Sequence, residues 1–273
     1  MIKTFAEAGR KQSGGSRSAP GIEIKTPAEI EKMRRVGRVV AEVLHALAAA
    51  AKPGISTGDL DRLAAEEIKK REAIPAFLNY RGYPAVLCAS VNDEVIHGIP
   101  DDSRVLREGD LISLDLGAVA EGYYGDSALT VPVGSVNPEA QRLMDVTSKS
   151  LEKALAAIKP GATVGDVSSA VESCVTAGGM SVIREFVGHG IGRNLHEEPA
   201  VPNYGRKGTG PRLEPGMVLA VEPMVCLGSS GDVVITENRW TAVTKDGSLS
   251  AHFEHTVAVT EHGREVLTDI RAA

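Results

Sequence analysis

The sequence predicts an α+β protein of two related α/β halves, and three observations carry that prediction. First, "KPGISTGDL" (Lys52–Leu60) returns as "KPGATVGDV" (Lys159–Val167), with five of nine positions identical at an offset of 107 residues. Second, the same offset lays "LREGDLISLDLGA" (Leu106–Ala118) over "LEPGMVLAVEPMV" (Leu213–Val225), which places Asp115 on Glu222. Third, a long helix-like stretch precedes each copy of the first repeat. Internal repetition of this kind indicates a duplicated unit. Two halves related by a pseudo-twofold axis bring Asp115 and Glu222 together at the junction.

Each element follows from local chemistry. Residues 1–22 contain "GRKQSGGSRSAPG", a polar, breaker-rich stretch that reads as a disordered N-terminal extension, leaving 23–273 as one folded domain. Thr26 caps the first helix, with Pro27 at its first position, Glu29 three residues after the cap and a Pro-Gly stop. Ile30, Met33, Val36, Val40, Val43, Leu44 and Leu47 form its apolar stripe. A second helix follows from "STGDLDRLAAEEIKKR", and "NPEAQRLMDVTSKSLEKALAAI" supplies the matching long helix of the second half.

"DLISLDLG" and "GMVLAVEP" are apolar runs bounded by Gly or Pro, the pattern of strands buried on both faces. Each carries a carboxylate near its end, Asp115 or Glu222. A buried carboxylate must be protonated, ion-paired or bound to a cation. Neither strand contains Lys or Arg, and two acids at duplicated positions favour a cation. "AVAEGYYGDSALTVPVG" reads as a hairpin that returns Asp126 roughly opposite Asp115. In "SLSAHFEHTVAVT", strand alternation puts Glu254 on one face with His252 and Thr256, and turns His255 to the other face for packing. In "FVGHGIGRNLHEEP", Arg193 and Leu195 break the spacing of a dinucleotide-binding glycine motif, which leaves His189 and His196 to be explained. Four acids and one imidazole make a hard ligand set suited to paired Mn, Co, Fe or Zn ions.

Composition excludes several classes. A net charge of −6 with no basic cluster gives no nucleic-acid signal. Three scattered cysteines (Cys88, Cys174, Cys226) argue against a disulfide framework and for a reducing, cytoplasmic setting. No apolar run approaches the roughly 20 residues of a membrane helix, and the N-terminus lacks the apolar core of a signal peptide. Nothing signals an oligomer, so a monomer is expected.

The motifs, taken in order, resemble a family. "HGIPDD" at His97, "SLDLGA" around Asp115, "YGDSALT" around Asp126, "GHGIGRNLHEEP", "VEPM" and "FEHT" are similar to those of type I methionine aminopeptidases. The likeness runs from about Ile24 to Leu267. It implies the pita-bread (creatinase/aminopeptidase-like) fold, two halves around an antiparallel sheet with a dinuclear metal centre. By resemblance Asp115, Asp126, His189, Glu222 and Glu254 are the ligands, with Asp126 and Glu254 bridging both ions. Asp115 would serve mainly one ion; His189 and Glu222 would serve the other.

The implied reaction removes the N-terminal methionine of nascent chains and peptides, a metal-bound water or hydroxide attacking the first peptide bond. Glu222 would relay its proton toward the leaving amine. His97 would contact the scissile amide, and His196 would stabilise the carbonyl oxygen. The resemblance places Phe77, Tyr80, Tyr83, Cys88, Leu195 and Trp240, with His97 and His196, around the substrate. Phe77 stands where the family commonly has cysteine, Leu195 where it has an aromatic residue, and His252 where it has glutamine. Two fates suit the tail, contact with the ribosome or free solvation, and the residues do not choose between them. Competing readings are a proline-directed peptidase of the same fold, a metal-free binding relative and a metal-storage protein. The full ligand set counts against the second, and His97 with His196 against the third.

Overall fold

The first helix, α1 (Pro27–Ala50), begins where the sequence sets its cap: Thr26 accepts from the Glu29 amide while the Glu29 carboxylate closes back on Thr26. The computed structural model describes residues 21–269. Most of the extension expected over 1–22 therefore lies outside the described residues. Of its end, Ile22 makes a parallel bridge to Glu198 and packs on the core. Three residues on, Lys25 forms a buried ion pair with Glu197.

The first half continues through α2 (Thr57–Lys70), β1 (Ile74–Pro75), β2 (Cys88–Val91), β3 (Glu94–Ile96), β4 (Leu111–Ala120) and β5 (Tyr123–Pro132). β4 is the spine of an antiparallel sheet, pairing β1, β2 and β5. α1 and α2 cover it, and Val36, Val40, Leu44, Leu60, Ile112 and Leu114 lie in one apolar cluster.

The second half holds α3 (Pro138–Ala157), α4 (Val164–Ala177), and strands β6 (Ser181–Val182), β7 (Gly188–Gly190), β8 (Glu197–Val201), β9 (Val218–Val221) and β10 (Met224–Cys226). β11 (Val233–Ile235), β12 (Ala242–Thr244), β13 (Ser250–His252), β14 (His255–Thr260) and β15 (Gly263–Val266) complete it. Its main sheet has the order β15-β14-β9-β7-β8. α3 and α4 pack on this half, and Leu143, Leu151, Val167, Val171, Leu219 and Val257 share a second cluster. Two cores, one per half, are what a duplication predicts.

The duplication reaches individual hydrogen bonds. Ser56 and Asp59 form a capping box on α2, and Thr163 and Asp166, 107 positions later, form its copy on α4. The bridge Ser56↔Val105 recurs as Thr163↔Arg212. The Gly54 amide donates to the Leu106 carbonyl at 2.9 Å, and the Gly161 amide to the Leu213 carbonyl at 2.9 Å. Both glycines have positive φ, 95° and 82°, which a side chain would disfavour.

A third apolar cluster fills the seam between the halves; it includes Met33, Phe77, Tyr83, Cys88, Leu195 and Leu267. α1 reaches this seam through Gly37, where a β-carbon would fall 2.4 Å from the Leu267 carbonyl oxygen. Gly37→Ala should therefore destabilise the protein by about 1–3 kcal/mol from overpacking. The gain in helix propensity, about 1 kcal/mol, is too small to reverse the sign. A lower thermal midpoint checks this; an unchanged or higher one would show that the seam relaxes freely.

The structure corrects two local expectations. Asp126 is not opposite Asp115: it pairs with Gly117, and Asp115 pairs with Ala128. The cause is a two-residue turn, Glu121 at φ 51° and Gly122 at φ 78°, the left-handed pair of a tight hairpin. Asp115 and Asp126 are thus diagonal neighbours on one face, and Asp115 sits mid-strand rather than near the strand's end. The run "SLSAHFEHTVAVT" is not one strand either. It breaks at Phe253–Glu254, where the Phe253 amide turns to the Pro223 carbonyl and the Glu254 amide to the Ala128 carbonyl. His255 packs away from the cleft as expected, its Nδ1 lying 2.9 Å from Thr268 Oγ1.

Candidate metal centre

Five strands or strand ends deliver the expected ligands. β4 carries Asp115, β5 Asp126 and β7 His189; Glu222 follows β9, and Glu254 occupies the break before β14. The first two come from one half and the other three from the second. Hydroxyls fasten the two sides together beside these residues. Thr256 Oγ1 donates to the Asp126 carbonyl at 2.7 Å, Ser127 Oγ to the Glu254 carbonyl at 2.6 Å, and Thr130 Oγ1 to the His252 carbonyl at 2.9 Å.

Asp115, Asp126, His189, Glu222 and Glu254 are all buried. Ligand atoms of Asp126, His189 and Glu254 lie within 4.8 Å of one another. His189 Nε2 is 3.5 Å from Glu222 Oε1 and 4.0 Å from Asp126 Oδ2. His189 Nδ1 donates to the Gly190 carbonyl at 2.8 Å, which leaves the Nε2 lone pair facing the carboxylates. Burial holds this imidazole neutral, lowering its pKa to about 4. A lone pair turned toward carboxylate oxygens is reconciled by a cation or proton between them.

The acids carry the same message. Burial pushes Asp126 up to about 7. Burial, then the charge of Asp126, holds Asp115 well above the usual carboxylate range. Glu222 and Glu254 are raised for the same first reason and by neighbouring acids. Asp115 Oδ1, Asp126 Oδ1 and Glu254 Oε1 are buried with no hydrogen-bond partner. Unpaired buried oxygens on the wall of one cavity are open coordination positions, and the donor set of four carboxylates and one imidazole fits divalent cations.

Above this floor lies a cavity of about 820 Å³. It brings together every residue expected at the site: the five ligands, His97, His196, Phe77, Tyr80, Tyr83, Cys88, Leu195 and Trp240. His97 has φ 60°, a left-handed backbone rare outside glycine and typical of a residue held for function. Its ring meets Phe186 edge-on at 5.6 Å and Trp240 at 6.2 Å. Loss of solvent at the cavity wall lowers the pKa of half-buried His97 to about 4; for His196, more open to solvent, the same cause and then the neighbouring His189 lower it to about 3, so both imidazoles are neutral at pH 7. The Tyr83 hydroxyl shares its one proton between the Leu87 and Gly98 carbonyls, each at 3.0 Å, and the Tyr83 ring meets Trp240 edge-on. Phe77 and Leu195, the two departures from the family's common pattern, are both buried apolar wall.

Sequence reasoning missed Phe186, Arg239 and Ile235 as further lining. Phe186 stands three residues before His189, and that proximity was the available signal. The reading of His252 was incomplete. It is 1% exposed, neither ring nitrogen has a partner, and its Nε2 lies 3.8 Å from Glu222 Oε2. Glu222 is therefore set between two imidazoles.

A duplicated α/β frame that gathers carboxylates and neutral imidazoles on the floor of a cleft defines a metal-dependent hydrolase. Comparison with known proteins makes the class specific. Residues 31–261 match the model of metallopeptidase family M24. A methionine aminopeptidase of Clostridium acetobutylicum is 51% identical over 247 residues, 90% of this chain and 98% of that protein. Methionine aminopeptidase 1 of Bacillus subtilis is 50% identical, over 91% of this chain and 100% of its own length. The crystal structure of the Thermotoga maritima methionine aminopeptidase superposes with a TM-score of 0.89 at 50% identity, covering 91% of this chain and 99% of that one. The chain belongs to metallopeptidase family M24 and, within it, to the type I methionine aminopeptidases, with their pita-bread fold.

Proposed function

We propose that this enzyme removes the initiator methionine from nascent polypeptides, with a pair of divalent ions held by Asp115, Asp126, His189, Glu222 and Glu254. The observation that carries this is the gathering of those five side chains on one apolar-walled cavity, with buried, unpartnered oxygens on Asp115, Asp126 and Glu254. By the family resemblance Asp126 and Glu254 would be shared by both ions, Asp115 would serve mainly one, and His189 with Glu222 would serve the other. When bound, such ions supply Lewis acidity and a water activated near neutral pH.

The chain's own residues do the rest. Phe77, Tyr83, Cys88, Leu195 and Trp240 wall an apolar pocket for the flexible thioether side chain. The acids of the floor draw the free α-amine, which restricts cleavage to the first peptide bond. Neutral His97 contacts the scissile amide, and neutral His196 offers a hydrogen bond to the carbonyl oxygen as it gains charge. Glu222 takes a proton and delivers it to the leaving amine, a role worth roughly 10²–10⁴-fold in rate.

No helix among the described residues is long and apolar enough to cross a membrane. The proposal includes a monomer in the cytoplasm acting near the ribosome, where nascent N-termini emerge. The physiological metal is one of Co, Mn, Fe or Zn, selected by availability rather than by a carboxylate site's own preference.

A peptide assay tests the reading. Metal-loaded protein should release methionine from Met-Ala-Ser, and a chelator should abolish the release. Cleavage of an Xaa-Pro peptide instead would assign the chain to the proline-directed branch of the fold.

A further inference from the structure

Tyr80 Oη and His196 Nδ1 lie 2.9 Å apart, and the two rings stack with centroids 5.4 Å apart at 27°. Both side chains line the cavity. Tyr80 opens a single 3₁₀ turn, Tyr80–Gly82, between two non-glycine residues in left-handed conformation, Asn79 at φ 65° and Arg81 at φ 51°. Such conformations persist only where the surroundings enforce them. The Asn79 amide donates to the Tyr83 carbonyl at 2.8 Å and the Tyr80 amide to the Phe77 carbonyl at 2.9 Å, while the Arg81 guanidinium lies 5.4 Å from the Tyr80 ring centroid. The segment aims the phenol at one nitrogen of one histidine.

We propose that Tyr80 is a positioning residue that fixes the tautomer of His196: its phenol donates to Nδ1, so that the ring's single proton sits on Nε2 and is presented to the substrate carbonyl. This deepens the function proposed above and rests on His196 facing that oxygen.

The reasoning is one of donor and acceptor accounting. A neutral imidazole has one N–H and one lone pair. With Nδ1 accepting from the phenol, Nε2 must be the donor. The opposite arrangement, Nδ1–H donating to Oη, would turn an Nε2 lone pair toward an oxygen that is gaining negative charge. It would also leave the phenolic proton without this acceptor, and among the described residues Tyr80 Oη has no other hydrogen-bond partner. Preorganised donors contribute most when they need no reorientation during the reaction. The aromatic body of Tyr80 and its hydroxyl thus have separate uses, one as pocket wall and one as a lock on a neighbour.

A double-mutant cycle with Tyr80→Phe and His196→Ala in metal-loaded enzyme tests the inference. Tyr80→Phe keeps the wall and removes only the phenolic donor. It should lower kcat about ten- to a hundred-fold, the range for partners that orient an active group, with KM changed by no more than ~2-fold. His196→Ala should cost on the order of 10²–10³-fold. Because Tyr80 acts through His196, the double variant should be no slower than His196→Ala alone. In metal-free protein, ¹⁵N NMR should report His196 with its proton on Nε2 and an acceptor bond at Nδ1. Tyr80→Phe should remove that bond's signature and release the second tautomer. Multiplicative losses in the cycle, or an Nδ1–H tautomer in the native chain, would overturn the role of Tyr80. A His196→Ala variant with full activity would instead remove the carbonyl contact beneath it, while the NMR still reports the Tyr80 bond.

Discussion

Asp126→Asn should strip the protein of most of its bound metal and lower turnover of Met-Ala-Ser by more than about 100-fold. Residues that merely orient a metal ligand cost 10–100-fold when changed, so a bridging ligand exceeds that range. The substitution is nearly isosteric, and it leaves untouched the main-chain bonds by which Asp126 holds Thr256, 3.1 Å to the amide and 2.7 Å to the carbonyl. The fold should therefore survive. It should even gain stability without metal, because Asn removes the charge that raises Asp115, Glu222 and Glu254. Metal analysis on protein purified without added ions, with activity per bound metal, reads both effects. Normal turnover would sink the bridging assignment.

The metal-free protein should lose stability as pH rises above 6.5, and divalent cations should cancel that loss. The folded pKa of Asp126 is raised to about 7, and those of Asp115, Glu222 and Glu254 are raised as well. A raised carboxyl contributes stability that is complete below its unfolded value, about 4, and is lost as pH rises through the folded one. The cleft histidines run oppositely. Buried His189 and half-buried His97 are lowered to about 4, and buried His252 to about 3. Their stabilisation is complete above roughly 6.5 and fades as pH falls toward those values. Between pH 6.5 and 8.5, therefore, only the carboxylates act. Each carboxyl still protonated costs about 1.4 kcal/mol per pH unit, or ~2–4 °C in thermal midpoint for a chain of this size. With Mn²⁺ present the slope should reverse, because ligation requires the deprotonated forms. Melting curves in chelator and in Mn²⁺ at the two pH values check this. A flat midpoint in chelator would mean that the acids are not held protonated by the fold.

The two-half frame was legible because a duplication leaves paired signals at one offset, and the Asp115–Glu222 pairing came with it. The histidines could be placed only by their resemblance to a family, since no spacing rule joins His97 to His196. Strand register was not legible. Asp126 sits two residues from its expected partner because the Glu121–Gly122 turn, not the strand pattern, counts the ladder. The break at Phe253 escaped notice for a related reason. Alternation in "SAHFEHT" suits a continuous strand, and only the Ala128 and Pro223 carbonyls, remote in sequence, draw the chain out of line. His252 and Phe186 reach the site through tertiary packing that carries no local pattern.

The hydroxyl fastenings at Ser127, Thr130 and Thr256 bear on how the enzyme turns over. They tie β5 to the segment spanning His252–Thr256, at the line where a hinge would have to run. A jaw-like motion of the halves would tear several buried bonds at once, each exposing polar groups that cost about 1–3 kcal/mol to leave unmade. These bonds therefore oppose a closing motion of one half on the other. A frame fastened in this way should leave adaptation to different substrates to the side chains that line the cavity rather than to movement of the halves.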